Sequence, residues 1–86
     1  MARFYLNMSN GIGFVRDEEG QELPDLDAAR EAAIAGIRSI LSDEAKQGLL
    51  DLRGTVEITD ESGQVLMVVP FKEAVELKLS EEGVAG

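Results

Sequence analysis

The spacing of apolar residues changes twice along the chain, from two to three or four and back to two. Residues 3–8 alternate apolar and polar side chains, which is typical of a β-strand with one buried face, and residues 55–60 do the same. Between them lies a stretch with helical spacing, whose apolar positions are Leu26, Ala29, Ala33, Ile34, Ile37, Ile40 and Leu41. The pattern predicts one long helix between two groups of strands.

The ends of this helix carry recognisable signals. Pro24 ends the preceding strand and Asp25 is typical of an N-cap residue. Gly48 suits the position just after the last helical residue, and Lys46 complements the negative end of the helix dipole. We therefore predict a helix over residues 25–47.

A short motif occurs twice, as VRDEEGQEL at residues 15–23 and as ITDESGQVL at residues 58–66. In each copy an Asp can accept backbone hydrogen bonds, and a Gly three residues later can adopt the left-handed conformation of a bulged turn. We interpret the copies as the turns of two hairpins. A calcium loop is the alternative, but the copies lack its alternating acidic ligands and its closing Glu.

These patterns predict an α+β fold, with an antiparallel sheet built from hairpins and one long helix packed on one face, in the order β-β-β-α-β-β. The length indicates one domain over residues 1–79 and a flexible tail over residues 80–86. Residues 65–69 are apolar at every position, which is typical of a strand that is buried on both faces or lies in an interface. Phe71 is expected to anchor the end of that strand, followed by a short turn and strand over residues 72–79.

The composition removes several classes of function. The chain has no Cys and no His, so it lacks thiolate nucleophiles, the usual neutral-pH general base and the commonest metal ligand. We expect no enzyme and no cofactor, with a carboxylate-based, metal-assisted hydrolase as the alternative. No leader or membrane-spanning segment is recognisable, so a cytoplasmic location and no membrane partner are expected.

Charge is the strongest compositional bias, with 17 acidic residues against 8 basic ones and a net charge of −9. Direct nucleic-acid binding is disfavoured because it depends on clustered Lys and Arg. Acidic residues concentrate before and at the start of the helix, at Asp17, Glu18, Glu19, Glu22, Asp25 and Asp27. This cluster is a candidate docking surface for a basic protein, although a solvated turn and helix start would have the same composition.

A homodimer is a further hypothesis. Gly36 lies in the middle of the predicted helix, where glycine costs about 1 kcal/mol relative to alanine, and close approach of another element would offset that cost. The apolar strand over residues 65–69 is a second surface that a partner would cover. The candidate dimer interface therefore comprises Gly36, Leu66 and Val68.

Three segments together resemble a known family: RFYLNMSNG, RDEEGQELPDLDAAREAA and GTVEITDESGQVLMVVPFKEAVEL. Their order over residues 3–77 is similar to that of an uncharacterised family of small acidic bacterial proteins, domain of unknown function 6894. That family typically has a His in its first strand followed by Asp-Gly, where this chain has Asn7 and Ser9-Asn10-Gly11. The resemblance supports the strand and helix assignments and implies no activity.

The predicted function is a non-catalytic protein-interaction module that binds a basic protein, with a homodimer as a further expectation. The alternative is an antitoxin-like protein that neutralises a small basic nuclease. It rests on a fold-level analogy, because the predicted element order is similar to that of antitoxin-type domains with a partial ribonuclease-H-like fold.

Overall fold

The computed structural model of the chain describes residues 1–10, 13–76 and 78. Its elements are β1 (Ala2–Ser9), β2 (Phe14–Val15), β3 (Gln21–Leu23), α1 (Leu26–Lys46), β4 (Thr55–Thr59), β5 (Val65–Pro70) and a 3-10 helix (Phe71–Ala74). This order confirms the predicted α+β fold. The predicted tail over residues 80–86 and part of the segment predicted over 72–79 lie outside the described residues.

The sheet is antiparallel and is organised around β1. Strand β4 pairs along one edge of β1, with Tyr5 opposite Thr59, and β5 pairs with the far side of β4. Strands β2 and β3 both pair with β1 as well, near its two ends. Strand β1 therefore has three pairing partners, more than any other strand among the described residues.

The first copy of the repeated motif does not form a hairpin turn, so that part of the prediction is wrong. Strands β2 and β3 do not pair with each other, and each runs antiparallel to β1. They are two pieces of one interrupted strand along the same edge. Residues 16–20, the middle of the motif, form the interruption between β2 and β3.

Side-chain hydrogen bonds hold this interruption against β1, where a continuous strand would form backbone hydrogen bonds. The Leu6 N–H donates to Oδ2 of Asp17 at 3.0 Å, and the Asp17 N–H donates to Oδ1 of Asn7 at 2.8 Å. The other oxygen of Asp17 accepts the Gly20 N–H at 3.0 Å. One carboxylate therefore closes the turn and also takes the place of a strand partner.

The second copy of the motif is a hairpin turn, as predicted. Oδ1 of Asp60 accepts the N–H groups of Ser62 and Gln64, at 2.9 and 3.0 Å, and Gly63 has a φ of 91°. Only glycine adopts such a φ at little cost. The turn joins β4 to β5, and a register shift next to Ile58 places a bulge in β5.

The helix, Leu26–Lys46, is one residue shorter at each end than the predicted helix over residues 25–47. Asp25 caps it, its side chain accepting the Ala28 N–H at 2.9 Å. At the other end Gly48, with a φ of 84°, donates its N–H to the Ala45 carbonyl, which matches its predicted place after the helix. The core lies between α1 and one face of the sheet, and its buried apolar residues include Phe4, Ile37, Ile58, Val69 and Phe71.

The end of β5 is held against the helix. The Phe71 side chain is 1% exposed, as its predicted anchoring role requires, and its N–H donates to the Gly54 carbonyl at 2.8 Å. Arg38 of α1 donates from Nε to the Ala74 carbonyl at 2.7 Å. A 3-10 helix thus follows β5 where a turn and strand were predicted.

Strand β5 is buried on one face only. Val69 is 1% exposed, whereas Val65, Leu66 and Val68 are 46%, 38% and 48% exposed. The alternative that residues 65–69 are buried on both faces is therefore wrong for the described part of the chain, which has a helix on only one side of the sheet. An interface on the other side stays a prediction.

Replacing Asp17 tests the side-chain fastening of β1. In the Asp17→Ala variant the part-buried N–H of Leu6 loses its acceptor, so the free energy of unfolding should fall by about 1–3 kcal/mol. The exposed neighbour Glu18 is the control, and Glu18→Ala should change that value by less than about 0.5 kcal/mol. Urea unfolding measures both, and equal effects would contradict the fastening.

Gly36 offers a second test. It is exposed, and apart from the nearby helix backbone no atom of the described residues lies within 4 Å of where a Cβ would stand. Gly36→Ala should therefore raise the free energy of unfolding by roughly 0.5–1 kcal/mol, and Ala35→Gly, at an exposed neighbour, should lower it by a similar amount. A destabilising Gly36→Ala would indicate that another chain packs closely at this glycine.

Candidate functional site: an acidic groove on the open face of the sheet

The face of the sheet away from α1 is open and mostly polar. Tyr5 lies opposite Thr59, and Asn7 lies opposite Glu57. On the next strand Val68 lies opposite Glu57, so it belongs to the same face. The neighbours of these residues along each strand point into the core, as the alternation of a strand requires.

Both copies of the repeated motif border a groove on this open face. The groove has a volume of about 560 Å³. We call it the acidic groove, and its five carboxylates are those of Asp17, Glu18, Glu57, Asp60 and Glu61, with Tyr5, Asn7 and Thr59 also lining it. Arg16 is its one basic lining residue among those described. The groove therefore carries a strong negative charge.

The middle of the groove is fixed in place. Thr59 is 7% exposed although it lies on the open face, and Nδ2 of Asn7 donates to its Oγ1 at 3.4 Å. Beside it, Gly20 approaches Tyr5 so closely that a Cβ would stand 2.9 Å from the ring. The first motif must therefore have glycine here for the turn to lie against β1.

The five carboxylates fall into two groups. Those of Asp17 and Asp60 accept backbone hydrogen bonds and shape their turns. Those of Glu18, Glu57 and Glu61 make no hydrogen bond or ion pair with any described residue. The second group can therefore bind a ligand without loss of a structural contact.

The Asp60 carboxylate is held in its charged form. Hydrogen bonds from the Ser62 hydroxyl, at 2.7 Å, and from the Gln64 N–H lower the pKa of Asp60 from its ordinary value of 3.8. Donors that bind the carboxylate favour its ionised state. The groove thus keeps this negative charge well below neutral pH.

The six acidic residues predicted to bind a partner are distributed over the first motif, β3 and the start of α1. Asp17 and Glu18 line the acidic groove. Glu22 pairs with Arg3 at 3.1 Å, and Asp25 and Asp27 belong to the start of α1. Glu19 is exposed in the turn before Gly20. Glu22 is close to the same acids, because it lines a neighbouring pocket together with Arg3, Asp60 and Glu61.

The three residues of the candidate dimer interface also lie apart. Gly36 is on the exposed side of α1, whereas Leu66 and Val68 are on β5, across the sheet. The three residues therefore lie on two different sides of the fold, and the homodimer and its interface stay predictions.

The match to protein families covers the groove and most of the fold. The model of the family described as Domain of unknown function (DUF6894) matches residues 3–72. The chain belongs to this family. Neither the curated proteins nor the solved structures contain a significant match to the chain.

The family match confirms the resemblance seen in the sequence and includes both motif copies. Asn7, which stands where that resemblance expects a His, lies in the groove and bonds both Asp17 and Thr59. An amide there donates and accepts at once, so this position connects the two sides of the groove.

The described residues have neither a cluster of metal ligands nor a membrane-spanning helix. They contain no group of three or more acidic side chains placed to hold a metal ion. Over the same residues no helix is long and apolar enough to cross a membrane.

Glu57, Asp60 and Glu61 line the groove but were not among the site residues predicted from the sequence. The alternation of residues 55–60 already places Glu57 on the outward face of its strand, and the repeated motif includes the other two. What the sequence does not contain is the register that sets Asn7 opposite Glu57. Without it, the two motif copies cannot be assigned to one groove.

The depressed pKa of Asp60 predicts a specific acid sensitivity. A carboxylate whose pKa is lower in the folded state stabilises the fold above its unfolded pKa, and this stabilisation is lost as the pH falls through the folded pKa. Between about pH 5 and pH 2, the melting temperature should fall less steeply for Asp60→Asn than for the wild type. Parallel curves from thermal melts would contradict this role of Asp60.

Proposed function

We propose that this domain is a non-catalytic protein-interaction module that binds a basic segment of another protein in the acidic groove. One observation supports the proposal most strongly. Both copies of the repeated motif border the same open groove, and three of its five carboxylates have no hydrogen bond or ion pair within the described residues.

Electrostatics favours a cationic partner. Ionised carboxylates on one surface repel one another, and Lys or Arg side chains that enter the groove relieve this repulsion. The attraction acts over about 8 Å at physiological salt, so it should steer association and weaken as salt rises. A nucleic acid would be repelled by the same charges.

The chemistry of the groove does not favour catalysis. An acid–base pair needs two groups whose environments separate their pKa values. The carboxylates of Glu18 and Glu61 are exposed to water, and hydrogen bonds keep Asp60 ionised. The antitoxin-like alternative is one case of the same module, since a small basic nuclease would be a basic partner. No described residue singles it out.

Matched neutralising variants test the groove. Glu57→Gln with Glu61→Gln removes two groove charges, and Glu31→Gln with Asp43→Asn removes two from the exposed side of α1. With a fluorescent oligolysine peptide at low salt, the groove variant should bind about 5- to 30-fold more weakly, and the control should stay within about twofold of the wild type. Fluorescence anisotropy measures the peptide affinity of each variant. An equal loss of affinity in both variants would show that binding depends on the net charge and not on the groove.

The same variants identify a natural partner. Wild type and control, immobilised in native lysate, should retain a basic protein at low salt and lose it at high salt, and the groove variant should not retain it. Mass spectrometry names the captured protein. A protein captured equally by all three variants would not be a ligand of the groove.

A further inference from the structure

Strand β5 is the outer strand of the sheet in the part of the chain that the structure describes. The order β2-β1-β4-β5 leaves its second edge without a strand. The Phe71 N–H donates to Gly54 of the neighbouring segment, and antiparallel ladders alternate, so Val69 faces β4 with its backbone and Val68 faces away. The N–H and carbonyl of Val68 are therefore directed at the open edge.

The open edge is short. Pro70 ends the strand and has no N–H, and at the other end the bulge beside Ile58 interrupts the alternation. Such features protect edges against long, unspecific pairing. What is left, around Val68, suits a segment of a few residues.

The surface beside this edge changes from apolar to acidic. No residue of β5 is charged, and Val65 and Val68 are 46% and 48% exposed. On the neighbouring strand β4, Glu57 lies opposite Val68. Glu61 lies in the turn that joins β4 to the start of β5. An added strand would thus meet apolar side chains first and the carboxylates of the acidic groove next.

We propose that a short, extended, basic segment of a partner protein adds to the sheet as a further strand along β5. This rests on the proposed function and specifies how the partner binds. Backbone hydrogen bonds to Val68 would supply part of the affinity, as in other cases of strand addition. Basic side chains on the open face would reach the carboxylates.

The spacing of a sheet permits this reach. Strands lie about 4.8 Å apart, so an added strand is roughly 10 Å from β4 and from Glu57. A lysine can lay its methylenes across Val68 and bring its ammonium group towards that carboxylate. Because side chains alternate, the segment should have basic residues at every second position, with β-branched or apolar residues between them.

A second copy of the chain is the competing occupant of this edge, and charge disfavours it. Each copy has a net charge of −9, and pairing through β5 would bring two acidic grooves close together. A basic segment is complementary to the same surface.

Peptides that differ only in the position of backbone methyl groups test the strand addition. The probe is a capped peptide of alternating lysine and valine. If the peptide adds antiparallel to β5, like every pair in the described sheet, with lysine on the groove side opposite Val68, the lysine N–H groups point at β5 and the valine N–H groups point away. N-methylation of the lysine amides should weaken binding about fivefold or more, and N-methylation of the valine amides should change it by less than twofold.

Hydrogen exchange on the full chain gives an independent measurement. Saturation with the unmethylated peptide should slow exchange of the Val68 amide at least about tenfold and leave the Val69 amide, which already faces β4, nearly unchanged. NMR resolves the two amides, so the alternation itself is the readout.

Two results would overturn the strand addition and leave the proposed function standing. Equal binding of both methylated peptides that still depends on Glu57 and Glu61 would indicate binding by charge alone. Protection of the Val68 amide without peptide, increasing with protein concentration, would assign the edge to a second copy. If no peptide binds at all, the proposed function fails together with the strand addition.

Discussion

The fastening of Asp17 to β1 decides where the rest of the first motif lies. The Leu6 N–H and the Asn7 side chain hold Asp17 at the edge of the central strand, so the chain between β2 and β3 cannot fold away as a hairpin. That position brings Glu18 to the groove and sets Gly20 against Tyr5. The acidic groove therefore depends on a contact between one carboxylate and one strand.

The two motif copies share Asp, Glu, Gly, Gln and Leu at corresponding positions but have different structural roles. In both, Asp accepts N–H groups of its own turn and Gly has a positive φ. The second copy also joins two paired strands, whereas the first connects two strands that share a partner. Local sequence specifies a turn, and the strand lengths on either side decide what the turn connects. Two-residue β2 pairs with Met8 and Ser9 of β1 and not with β3.

Most of the fold was predictable because its signals are local. Helical spacing, the Asp25 cap and Gly48 determine α1, and alternation determines β1 and β4. The errors concern long-range pairing: the partner of β3, which is β1 and not β2, and the exposure of Val68 on a strand that is apolar throughout. The net charge predicts that the site is an acidic surface. Which residues line it is not predictable from the sequence, because only the β1–β4 register places Asp17 and Glu57 in one groove.

The acidic residues of the groove have two different roles, and this explains how a small domain stays folded with so many negative charges on one surface. A domain of this size has a stability of only about 4–13 kcal/mol, so repelling charges need local compensation. Asp17 and Asp60 receive it from backbone N–H groups, which also make their turns. Because these two shape the turns, and Glu57 and Glu61 make no hydrogen bond or ion pair with the described residues, replacing Glu57 and Glu61 should leave both turns intact.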